Sequence, residues 1–182
     1  FIAGYFHGTY DFDPSGGTDI RTSKYTTLTN LSTSDNAYYD YVDSVFITKL
    51  NADGSYGWTI VHDEINYERN TVELAIGSDN TIYFLGIKSE YKSETVTKGK
   101  ATYTVTTAVD KALIIYTYNN DGQLITEKKI EGSGQAGDMR LHIDSQNKII
   151  VTGSMSGSFD LDPGEGTAQF TSINENNEDD IK

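Results

Sequence analysis

A stretch near the start of the chain is written again near its end. Asp11-Phe12-Asp13-Pro14-Ser15-Gly16-Gly17 returns as Asp160-Leu161-Asp162-Pro163-Gly164-Glu165-Gly166. The lead-ins match as well, Ile2-Ala3-Gly4-Tyr5-Phe6-His7-Gly8-Thr9-Tyr10 against Val151-Thr152-Gly153-Ser154-Met155-Ser156-Gly157-Ser158-Phe159. Every matched pair is 149 residues apart, as Gly4 is from Gly153 and Asp11 from Asp160, and both prolines of the chain stand at this one repeated position. An ungapped echo of this kind is an internal repeat, and it restricts the fold to architectures assembled from copies of one supersecondary unit.

Between the two copies a shorter period runs. Asp-Gly turns at Asp53-Gly54 and Asp121-Gly122 lie 68 residues apart. The strands that open at Asp43 and Asp110 differ by 67, as do the alternating segments Val72–Ile76 and Met139–Ile143 and the strand-ending Gly86 and Gly153. The spacing from Gly4 to Gly86 is 82, and the excess falls across a long polar excursion at residues 7–42. Within each period, runs of β-branched and aromatic residues alternate with polar ones and are bounded by Asp, Asn and Gly, the pattern of half-buried strands and hairpins. No helical periodicity is sustained anywhere. The expected fold is all-β, about ten strands in four-stranded antiparallel units at a regular period, which is the signature of β-propeller blades. The units run over residues 1–65 (without a first strand), 66–134 (degenerate) and 135–182 (truncated). A polar insert at 88–100, and an extra strand or an extended loop at 103–106, belong to the second. So few units form an incomplete ring.

The residues also carry a family resemblance. Gly-Tyr-Phe-x-Gly-Thr-x-Asp-Phe-Asp-Pro-x-x-Gly, followed by Asp-x-x-Phe-Ile-x-Lys-Leu-x-x-Asp-Gly-x-x-x-Trp, resembles the bacterial β-propeller repeat family known as SBBP. The first unit matches closely and the third up to its end. The second has Glu90-Tyr91-Lys92-Ser93-Glu94 in place of the Asp-Phe-Asp-Pro loop and no Trp after Gly122. The resemblance implies a propeller in a large secreted or cell-surface protein, and it implies no catalytic residues.

Composition narrows the function classes. A net charge of −13 opposes binding to nucleic acid or to anionic membranes, both of which need a basic surface. Without cysteine there is no disulfide, thiolate metal site or cysteine nucleophile. No apolar run is long enough for a transmembrane helix. The chain opens at Phe1 without a leader, and a piece of a longer chain, or a trimmed form, is expected.

Few residues point to chemistry. Asp11, Asp13, Asp160 and Asp162 form two Asp-x-Asp pairs on glycine-containing loops, a plausible start for Ca²⁺ ligation. A purely structural alternative stays open: the carboxylates accept backbone N–H groups, proline fixes φ, and Phe12 and Leu161 plug the edge of the unit. Tyr38, Tyr39 and Tyr41 could stack on sugars or anchor a protein partner, or pack against a neighbouring unit. His7, His62 and His142 are scattered, and no nucleophile elbow or selected carboxylate pair stands out. The expected function is a non-catalytic scaffold, adhesion or binding module, its partners being further blades of the chain, other subunits or surface glycans. A glycan-binding or glycan-processing propeller is the alternative.

Overall fold

The computed structural model describes residues 1–24, 28–31, 37–40, 44–63, 65, 72–98 and 101–173. Among them lie thirteen strands and no helix: β1 (Ile2–Phe6), β2 (Thr9–Asp11), β3 (Ile20–Thr22), β4 (Leu28–Leu31), β5 (Ala37–Asp40), β6 (Ser44–Leu50), β7 (Tyr56–His62), β8 (Glu73–Ile76), β9 (Ile82–Lys98), β10 (Ala101–Tyr118), β11 (Leu124–Ile143), β12 (Ile149–Asp160) and β13 (Gln169–Thr171). The chain is all-β and every strand pairing is antiparallel. One sheet has the order β1-β6-β7, a second is the meander β13-β12-β11-β10-β9-β8, and β2-β3 and β4-β5 are small hairpins.

Four hairpin turns share one construction. In Asn51–Ser55 and Asn119–Gln123 the first N–H donates to the carbonyl of the fifth residue, and the fourth N–H donates back to the first carbonyl. Gly77–Thr81 and Asp144–Lys148 repeat the pattern. The fourth residue is left-handed in each, Gly54 at φ 83°, Asn80 at 62°, Gly122 at 80° and Asn147 at 59°. These are type I turns closed by a left-handed residue, so Asp-Gly here makes a three-residue loop instead of a two-residue one.

The turns also correct the register of the repeat. Asn51 corresponds to Asn119, an offset of 68, so Val45 and Ile47 correspond to Leu113 and Ile115. Aligning Asp43 with Asp110 slips β6 against β10 by one residue, which exchanges the two faces of the strand.

In register, three layers stack in one sense. Ile82 and Phe84 of β9, with Ile114, Tyr116 and Tyr118 of β10, pack on Val45 and Ile47 of β6, with Trp58 and Ile60 of β7 at the margin. The intervening residues Tyr83, Leu85, Ile87, Leu113 and Ile115 pack on Met139, Leu141 and Phe159 of β11 and β12. The middle sheet is therefore buried on both faces, as its near-continuous apolar runs require. Val45, Ile47, Ile82, Phe84, Leu85 and Ile114 are fully buried, and each contributes about 1.5–3 kcal/mol by leaving water.

Two elements are longer than the sequence pattern suggests. The polar insert and the extra strand form one hairpin arm, in which Lys98 pairs with Ala101 and Tyr91 with Ala108. The alternating segment at 139–143 is the end of a longer strand, β11, which pairs with β10 up to Gly132 and with β12 from Gly132 onward.

Candidate functional site

The two Asp-x-Asp-Pro loops share the same backbone-to-carboxylate hydrogen bonds. Asp11 Oδ1 accepts the N–H of Asp13 at 3.1 Å and of Asp19 at 2.9 Å. Asp160 Oδ1 accepts those of Asp162 at 3.1 Å and Ala168 at 2.8 Å. Asp13 Oδ1 accepts the Ser15 N–H, and Asp162 Oδ1 accepts that of Gly164, both at 2.8 Å. A Cβ at Gly17 or Gly166 would overlap Oδ2 of Asp13 or Asp162, so any other residue there displaces the carboxylate.

The echo continues beyond residue 17. Gly8 and Gly157 take φ of 96° and 99°, and their carbonyls accept the N–H of Ser23 and Ser172. Those serines return a hydroxyl to the glycine N–H at 2.8 and 2.7 Å. The shared Gly-Thr-x-x-x-Thr-Ser at 17–23 and 166–172 is the sequence signal for this closure.

What the carboxylates do here is hold backbone. The Asp11 carboxyl is kept below its ordinary value by the N–H of Asp19 first and of Asp13 second, because both bonds favour the ionised form. Among the described residues no group of three or more His, Cys, Asp and Glu is placed to hold a metal ion. Within each loop the two carboxylates accept different backbone N–H groups.

Phe12 packs on Phe6 and Phe46, with ring centroids 5.1 and 4.9 Å apart, so in the first unit it does plug the sheet. Leu161 is 38% exposed and has no such seat. Tyr38 and Tyr39 lie in β5, opposite Asn30 and Thr29 of β4. Tyr41 lies outside the described residues, as does the acidic run at 174–180.

A cluster that the repeat does not reveal sits beside the first loop. The Tyr56 hydroxyl donates to Asp19, which also holds Arg21 at 2.8 Å through Nε. Burial and the Asp19 carboxylate push the Tyr56 phenol up, so it remains a donor. This latch fastens the loop to β7. The third unit has Ala168 and Phe170 at the positions of Asp19 and Arg21, so the latch has no second copy to betray it.

His62 is buried, with its Nε2 2.7 Å from the Tyr118 hydroxyl and its ring stacked on Phe84 and Tyr116. It belongs to the layer between the first two units. His142 is exposed. A cleft of about 370 Å³ between β11 and the second Asp-Pro loop is lined by Glu127, Lys129, Glu131, Asp160, Asp162, Pro163 and Gly164. It gathers carboxylates around one lysine, without an aromatic side chain or a histidine.

No family model matches the chain, and neither a curated protein nor a solved structure does.

Proposed function

We propose that this chain is a run of β-propeller blades serving as a non-catalytic scaffold, adhesion or binding module of a larger secreted or cell-surface bacterial protein. The observation that carries the reading is the stacking: a four-stranded middle unit buried on both faces by neighbours that meet it in the same sense. A blade stabilised by its neighbours around an axis needs that arrangement. The blades would be residues 1–65, 66–134 and 135–182, and the partners are further blades of the same chain or other subunits.

Residual dipolar couplings in solution test the ring. Successive units should be related by one common axis with equal rotations of roughly 45–90°, the range for rings of eight to four blades. Units related by translation alone would make the molecule a solenoid and overturn the reading.

A further inference from the structure

The arm of β9 and β10 runs on past the rest of its sheet as a ribbon of two strands. β8 pairs with β9 only from Ile82 to Leu85, and β11 pairs with β10 only from Lys111 to Tyr118. Among the described residues, no strand pairs with residues 88–98 of β9 on the side away from β10. The turn before β9 decides which main-chain groups that side presents. The Gly77 N–H donates to the Thr81 carbonyl, so from Thr81 onward the odd-numbered residues turn N–H and C=O toward the β8 side. The alternation runs unbroken to Thr97, because the irregularity in this ladder lies in β10, between Ala108 and Asp110. A two-stranded ribbon is marginal by itself in water, and an unpaired edge is a template for another strand.

The sequence of this edge alternates in charge. Lys88, Glu90, Lys92 and Glu94 stand at every second position, and the order read backwards is Glu, Lys, Glu, Lys. The run is therefore complementary to itself when two copies lie antiparallel. We propose that the open edge of β9 pairs with the same edge of a second copy of this chain, about a two-fold axis at Tyr91. Such a contact is isologous, with each copy giving and receiving the same bonds. Tyr91 meets Tyr91 and Ser89 meets Ser93 in the hydrogen-bonded pairs. Lys88 then lies opposite Glu94 of the second copy and Glu90 opposite Lys92, in the non-hydrogen-bonded pairs where the strands approach most closely. Opposite charges placed so stabilise a ladder, and like charges oppose it. An axis at Glu90 would set Lys88 opposite Lys92, and one at Lys92 would set Glu90 opposite Glu94, so the charges select the register. Lysines alone would keep two edges apart; glutamates between them turn the same positions to attraction. The outer edge of β10 has no such code, since residues 101–109 carry no charge. Two joined arms make a four-stranded sheet. The inference does not depend on ring closure, so it stands or falls separately from the propeller reading.

The test uses the whole chain. Sedimentation equilibrium at millimolar concentration should give twice the mass of one chain. Lys88→Glu with Lys92→Glu makes the run all acidic, and Glu90→Lys with Glu94→Lys makes it all basic. Each double variant, with its strand content unchanged by circular dichroism, should be monomeric alone, and the two mixed should form a one-to-one dimer. The basic variant carries less net negative charge than the parent, so its loss of association would not come from general repulsion between chains of net charge −13. Because the chain has no cysteine, single cysteines can report the axis. Tyr91→Cys should cross-link on oxidation roughly tenfold or more faster than Thr95→Cys, whose two copies lie too far apart in this register. The proposal is overturned if the parent stays monomeric at millimolar concentration, if either double variant associates as the parent does, if their mixture stays monomeric, or if Thr95→Cys cross-links as fast as Tyr91→Cys.

Discussion

Asp11 shows how a residue that looks chemical can be architectural. One oxygen accepts two N–H groups eight and two residues ahead, and the loop closes around it. Asp53 and Asp79 are likewise held below their ordinary value, the first chiefly by the Ser55 hydroxyl and the second by the Thr81 N–H. With the folded values depressed, the stabilisation is complete above the unfolded value near 3.8 and is lost as pH falls through the lower folded ones. Melting temperature should therefore drop with pH below about pH 4. Asp11→Asn, which keeps an acceptor oxygen but no charge, should flatten part of that drop. The same melts at neutral pH should not move in excess EGTA. A melting temperature lowered by chelator and restored by calcium would instead give the loops their cation. The motif was legible because it is repeated; Tyr56, Asp19 and Arg21 were not, since the third unit has no counterpart to them.

At the scale of the element, the turns carry more than chain reversal. Gly54 and Gly122 occupy equivalent left-handed positions, yet a Cβ at Gly54 meets nothing within 4 Å and one at Gly122 lies 2.9 Å from Cδ2 of Trp58. That indole also donates to the Asn120 carbonyl at 3.2 Å, and Lys49 Nζ donates to the same oxygen at 2.9 Å. Gly54→Ala should cost about 1–2 kcal/mol for the backbone alone. Gly122→Ala should cost about 1–3 kcal/mol more, because the contact between units must give way. Urea midpoints on the two variants measure the difference, and equal losses would show that the Trp58 contact contributes nothing. Asp-Gly marked both turns in the sequence. Their loop length was not legible, since it depends on the backbone at Asn51 and Asn119. The arm of β9 and β10 reads as a polar insert because Thr, Ser, Lys and Glu dominate its sequence, and only cross-strand pairing makes it a hairpin.

Across the whole molecule, stability is shared between units. Phe84 is fully buried between the first two, 5.2 Å from the His62 ring. Phe84→Ala should cost about 3–5 kcal/mol, a large fraction of the roughly 5–15 kcal/mol of an ordinary domain. Hydrogen exchange should then rise in β6–β7 as well as in β9–β10. A rise confined to β9–β10 would mean that the first unit holds itself together. The order of units was legible from the spacing of Asp-Gly turns and strand-ending glycines. Their facing was not, because an offset of 67 or 68 decides which side of β10 meets β6, and only the turn hydrogen bonds fix it. The hand-over at Gly132 has a mechanical consequence. That residue pairs with Lys111 on one side and Phe159 on the other, within a single strand. Tension applied to the third unit therefore reaches the second along β11 itself, with no slack to take up, and loads the β10–β11 ladder in shear.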